Sequence, residues 1–397
     1  MKKLGMFIFT LIMLILTILS YTYENFNIEA PKYKQSSINI NSKKFGEIKE
    51  ITWLEDCPGN ILLILSSREE NGTPMSYLYY LNIDTGESKL LHESYSHKTL
   101  NNVIFHDDPF SSDDIITTFD KGIIRTKINL NENKKLDYSY DLITIEDFEN
   151  ANSMDYKGSL FFTKPDDDFI YAKQFYRGGF SFFNNQSTMP DFMKYYKKPY
   201  YIVCANRLDG YLTYTSLKKE GMHLYSMNYD GTSVSRLNKP IIKNIVTAKD
   251  IGHFSDGYVG MNLANNSENN KLNIFMIRRN IENKGSSLKL DTIPFNLDRF
   301  GSVPSIDSIT FNEDYSLIYT SYNEKHEGQI KIANYNGSPK VIVEDKNLFG
   351  PVKISQRYEE NNRRNLILYF TYEGNKIHTK ICDTEGKLFK DISEMLL

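Results

Sequence analysis

Tryptophan occurs once in the 397 residues, at Trp53, and cysteine only three times, at Cys57, Cys204 and Cys382. An odd number of thiols in distant segments points to buried free thiols rather than a disulfide framework. The short signatures of common catalysts are also missing. No G-x-S-x-G, G-x-x-x-x-G-K-[ST] or G-x-G-x-x-G occurs, so a serine-hydrolase elbow, a Walker phosphate cradle and a dinucleotide fingerprint are all excluded. An enzyme site assembled from loops would leave no such trace. Charge of one sign is lacking too: 47 basic and 50 acidic residues are interspersed, which leaves no general basic surface for nucleic acid.

What the chain has in quantity is Tyr and Phe, 28 and 24 of them, side chains that favour strands and the packing of one sheet on another. They recur in hairpins. In "LYSMNYDGTSVSRL", Leu224 to Leu237, Tyr225, Met227 and Tyr229 alternate with Leu224, Ser226 and Asn228, the period-2 pattern of a half-buried strand. Asp230-Gly231 supplies the turn, because Gly accepts positive φ without steric cost and Asp tolerates it. The layout recurs with Gly86, Gly337 and Gly386 in the turn, more loosely near Gly285, and in weaker form near Asn133 and at Gly178-Gly179. The seven turns are spaced about 50 residues apart, which marks an internal repeat.

Each repeat holds further strands ahead of its hairpin, such as "EITWLE" and "NILLILSSR" in the first and "NLILYFTYEG" in the last. Four strands in a repeat of this length make one blade of a β-propeller. The expected fold is therefore all-β, a propeller of seven four-stranded blades over residues 45–397, with six or eight blades left open because the second and third repeats are degenerate. First and last repeats both own four strands, so closure is expected to rest on blade packing, although "SSINI" before Asn41 is able to add an edge strand. The turn of "LYSMNYDGTSVSRL" resembles that of TolB-like propellers, an aromatic-rich strand ending in Asn-x-Asp-Gly before a strand with a basic residue and Leu. That resemblance implies the fold and interaction with envelope partners.

At the N-terminus, Lys2-Lys3 precede an uncharged run from Leu4 to Tyr21, long enough for a transmembrane helix and near the lower limit for one. No small-x-small site follows it, so an uncleaved signal-anchor is expected over a cleaved signal, with the two lysines cytoplasmic and the rest outside. Without residues 1–21, and hence without Lys2 and Lys3, the formal charge moves from −3 to −5. Residues 22–44, polar and containing Pro31, read as a tether.

Several motifs invite chemistry. "HESYSH", His92 to His97, spaces its histidines by five, which on a helix sets them about 140° apart rather than on one face; no zinc site is assigned. "HDDPF", His106 to Phe110, and the run Asp166 to Asp168 have the composition of solvated turns. The remaining histidines, His223, His253, His326 and His378, are spread over several repeats, and their convergence with carboxylates at the ring axis would mark an enzyme. The strongest candidate is "KYYKKPYY": Lys194, Tyr195, Tyr196, Lys197 and Lys198 alternate basic and aromatic groups able to stack on sugars or hold an anionic polymer. The competing reading makes Tyr200 and Tyr201 the start of the strand "YYIVCANR". No catalytic, metal or cofactor residue is assigned. The expected function is a membrane-tethered, extracytoplasmic propeller that binds an envelope protein or wall polymer, with a glycan-active lyase or hydrolase as the alternative.

Overall fold

The computed structural model describes residues 13, 33–54, 61–95, 104–106, 114–119, 121–130, 136–149, 151, 153–156, 159–164, 167–174, 192–206, 211–218, 221–228, 230–236, 244–250, 257–264, 271–278, 286–311, 314–334, 338–359 and 362–397. Seven antiparallel sheets follow one another along the chain, at 40–95, 104–144, 153–196, 201–236, 245–294, 306–345 and 348–391. Six have four strands and the first has five. They are the blades of a propeller, numbered 1 to 7. In each, strands pair in sequence order from the axis to the rim. The inner strands begin at what is called here the upper face.

All seven turn positions expected from the repeat lie, in sequence, between the third and outer strands of successive blades. Gly86, Gly231 and Gly386 adopt φ of 76°, 81° and 82°; Asn133, Gly178-Gly179, Gly285 and Gly337 lie outside the described residues. Asp230 accepts from Thr232 N–H at 2.9 Å and so closes the Gly231 turn.

The half-buried pattern expected of "LYSMNYDGTSVSRL" is not what the blade shows. In its strand Gly221–Asn228, Leu224, Ser226 and Met227 are all buried, because a blade has a neighbour on each face and neither face meets water. Leu224 packs with Tyr258 and Phe275 of blade 5, whereas Met227 packs with Phe161 and Tyr195 of blade 3. The same logic explains the unbroken apolar run in Ile61–Glu70 of blade 1. Leu62 and Ile64 face blade 7, and Ile61, Leu63 and Leu65 face blade 2. The core is accordingly split into seven clusters, one in each seam between blades.

Closure uses more than packing. Each terminal blade is built from its own segment, as expected, and Trp53 Nε1 of blade 1 donates to the Lys353 carbonyl of blade 7 at 3.3 Å. Lys390 of blade 7 donates through Nζ to the Ile83 carbonyl of blade 1, and Lys43 N–H to the Leu397 carbonyl at 3.0 Å. Ile40–Ser42 forms the fifth strand of blade 1. Residues 33–39 lead into it across the upper face. Tyr33 meets Phe295 edge-on, Val303 N–H donates to the Lys34 carbonyl at 2.9 Å, Ser36 Oγ donates to the Val303 carbonyl at 2.6 Å, and Ile38 is buried in the seam of blades 7 and 1. This strap ties blades 5, 6, 7 and 1.

Cys382 is a buried free thiol, its pKa pushed up to about 12 by burial. Among the described residues no helix is long and apolar enough to cross a membrane. The run Leu4 to Tyr21 lies outside them except for Met13.

Candidate functional site

The basic-aromatic stretch occupies the rim of blade 3. Phe192–Tyr196 is the outer strand, and Tyr201–Asn206 is the inner strand of blade 4. Strand alternation therefore sends neighbours in opposite directions. Tyr195 is buried in the seam with blade 4, where burial raises its phenol pKa. Tyr196 points outward and is 59% exposed. Its ring meets Phe169 edge-on at 5.7 Å, and the Lys198 ammonium lies 5.8 Å from its centroid.

Lys194 and Lys164 both approach the Tyr171 ring, at 5.2 and 4.8 Å, within cation–π range. The two ammonium groups share Asp147: Lys194 is in direct ion contact with it, and Lys164 is at 3.6 Å. The Lys194 hydrogen bond holds the Asp147 carboxyl below its ordinary pKa and raises that of the lysine. Lys197 is committed elsewhere, donating Nζ to the Gly231 carbonyl at 2.9 Å. The backbone N–H groups of Lys197 and Lys198 both donate to the Asp168 carbonyl. Of the five residues in the stretch, the structure leaves Lys194, Tyr196 and Lys198 exposed beside one another.

Asp167 and Asp168 support this edge rather than a cation. Asp167 accepts from the Phe169 N–H and from the Tyr171 hydroxyl at 2.6 Å. Among the described residues no group of three or more His, Cys, Asp or Glu is placed to hold a metal ion.

The histidines with described side chains do not meet at the axis. His92 sits on the outer strand of blade 1, His223 and His378 on third strands of blades 4 and 7, and His326 in a loop of blade 6. His92 is buried against blade 2, its Nε2 3.0 Å from Thr117 Oγ1, and burial lowers its pKa to about 4. His97 and the side chains of His106 and His253 lie outside the described residues, as do Asp107 to Phe110.

The sequence reading missed a second cluster. Lys249, Asp307, Lys353 and Glu50 stand on the inner strands of blades 5, 6, 7 and 1. Lys249 Nζ is 3.3 Å from Asp307 Oδ1, and Asp307 Oδ2 accepts from Ile354 N–H at 3.0 Å. Desolvation lowers the Lys249 pKa, Asp307 opposes that shift, Lys353 deepens it, and Glu50 counters it weakly. Asp307 is the single charge of its strand, whereas Lys249, Lys353 and Glu50 have other charged residues in theirs, so only the shared repeat position would have hinted that they meet.

No family model matches the chain, and no curated protein matches it. Solved structures do. An oligogalacturonate lyase from Vibrio parahaemolyticus aligns with 9% identity and a TM-score of 0.50, covering 89% of this chain and 98% of its own. An uncharacterized protein from Listeria monocytogenes EGD-e aligns with 14% identity and a TM-score of 0.48, covering 91% and 95%. TolB from Acinetobacter baumannii aligns with 10% identity and a TM-score of 0.39, covering 83% and 78%. At 9% identity the likeness to the lyase is one of fold, a β-propeller.

Proposed function

We propose that this protein is a binding module whose blade 3 rim takes an anionic glycan polymer of the cell envelope. The observation that carries the reading is Tyr196, 59% exposed and flanked by Phe169 and Lys198. A half-open aromatic face accepts the C–H face of a sugar, and the Lys198 ammonium beside it attracts a carboxylate or phosphate substituent. Rigid strands hold the groups in place, so little conformational entropy is lost on binding. The Leu4 to Tyr21 run tethers the ring outside the membrane, where such polymers lie.

A glycan-cleaving role would need an uncommitted acid or base beside the platform. Asp147 and Lys194 are spent on each other, which favours binding over chemistry. The test is retention on immobilised envelope polysaccharide bearing carboxylate or phosphate groups. Tyr196→Ala is expected to weaken retention about tenfold, or ~1.4 kcal/mol, and Lys198→Glu to weaken it more at low salt than at high salt. Equal retention by wild type and Tyr196→Ala refutes the assignment, and capture of one envelope protein in place of polymer redirects it to a protein partner.

A further inference from the structure

The loop that joins blades 5 and 6 on the upper face holds two large apolar side chains away from the core. Leu297 is 52% exposed and Phe300 is 43% exposed. The loop is built to keep them there. Asp298 Oδ1 accepts from the N–H groups of Phe300 at 2.9 Å and Ser302 at 2.7 Å, and its Oδ2 accepts from Gly350 N–H of blade 7 at 3.4 Å. Gly301, at φ of 73°, donates its N–H to the Asp298 carbonyl at 2.9 Å. The Phe300 ring rests against Phe349 of blade 7, with centroids 4.6 Å apart, and the Arg299 guanidinium lies 4.1 Å from the Tyr372 centroid. Two apolar groups presented from one hydrogen-bonded loop form a contact surface rather than scattered exposure.

What meets this surface follows from where the chain arrives. Tyr33, at the start of the described segment 33–54, packs edge-on against Phe295 with centroids 5.6 Å apart, and Val303 N–H donates to the Lys34 carbonyl. Phe295 and Val303 flank the turn at residues 297–302, so the N-terminal segment enters the propeller beside Leu297 and Phe300. The uncharged run Leu4 to Tyr21 ends twelve residues before Tyr33, a stretch that spans at most about 43 Å when fully extended. As the membrane anchor, that run holds the loop within this reach of the bilayer. Contact between loop and lipid is then an intramolecular event, favourable even where the intrinsic affinity is weak. Exposed charges near the loop include both signs, Lys34, Arg299 and Lys325 with Glu324 and Glu373, so apolar contact supplies the affinity without a need for anionic lipid.

We infer that the upper face at blades 5 and 6 rests on the membrane surface, with Leu297 and Phe300 entering the boundary between headgroups and acyl chains of a lipid bilayer. Arg299 keeps its charged head at headgroup level while its stem lies along the loop. The inference rests on the anchoring of Leu4 to Tyr21 proposed above and adds to it the orientation of the ring. The lower face, with the turns at Gly86, Gly231 and Gly386, points away from the bilayer.

The experiment reconstitutes the full chain in phosphatidylcholine vesicles, recovers them by flotation, and compares tryptophan emission with and without bromine on the acyl chains. Trp53 is buried, 4% exposed, and gives the unquenched baseline. Phe300→Trp is expected to lose about half of its added emission to brominated lipid, since residues at this boundary lie within reach of the acyl chains. The loss is expected at low and high salt alike, and Leu297→Asp in the same chain is expected to reduce it. Leu388→Trp, at a site 55% exposed beside the lower-face turn of blade 7, is expected to lose none. Failure of the wild type to float with vesicles refutes the anchor and this placement with it. Flotation without quenching of Phe300→Trp leaves the anchor standing and overturns the placement alone, as does equal quenching of Leu388→Trp. A blue-shifted Phe300→Trp emission that bromine does not quench overturns it in favour of a second copy of the chain on this loop.

Discussion

Glycines with the same backbone conformation meet different surroundings in this ring. A Cβ on Gly231 would lie 2.4 Å from the Tyr195 ring, and one on Gly386 would lie 1.8 Å from the Ile342 carbonyl, whereas at Gly86 the nearest atom, Met395 Cε, is 3.9 Å away. Gly231→Val is therefore expected to destabilise by roughly 1–3 kcal/mol from backbone strain, with Gly86→Val less damaging, as read by denaturant midpoints. His92 gives a second prediction at this scale. Its pKa is about 4 in the fold against 6.5 when exposed. Between those values the unfolded chain binds a proton that the folded chain does not, so stability present above pH 6.5 falls as pH drops towards 4. The loss is about 3 kcal/mol in total, and His92→Gln is expected to flatten stability over that window while wild type slopes.

The outer strands show how one element repeats its solution. In blades 1, 5, 6 and 7 a bulge interrupts pairing between the third and outer strands. The residue passed over is Leu91, Leu290, Ile342 or Phe389, and each packs into the seam with the following blade. A bulge shifts the alternation by one residue and twists the strand, which turns an apolar side chain away from the open edge. Lys89, Lys289, Lys340 and Lys387 lie one to two residues before these positions. Lysine at an edge strand discourages pairing with a second chain. The sequence shows the basic residue followed by an apolar pair in blades 1, 6 and 7 and by Leu290 alone in blade 5, but not the bulge, because a one-residue register shift leaves no mark on composition.

Seven sheets in a ring must meet once, at the seam of blades 7 and 1, and there the molecule adds cross-links beyond packing. Ile38 of the strap is buried in that seam beside Trp53. Ile38→Ala is expected to cost about 2–5 kcal/mol, and the single tryptophan makes the seam visible. The transition followed by Trp53 fluorescence is expected to move to lower denaturant, and a midpoint equal to that of wild type would show that residues 33–39 act only as a tether. The ring also brings Lys249 and Asp307, 58 positions apart in the sequence, into ion contact across the seam of blades 5 and 6.

The all-β class, the seven hairpins and the complete terminal blades were determined by the sequence itself, because turn chemistry and strand period are local properties repeated every 50 or so residues. The tertiary structure alone decided which strand faces are covered, since burial on both sides depends on a neighbouring blade and not on the strand. It also divided "KYYKKPYY" into a buried Tyr195, a structural Lys197 and an exposed Tyr196. The Lys249–Asp307 pair belongs wholly to the tertiary level: the two charges meet only when the inner strands of blades 5 and 6 are set side by side in the ring.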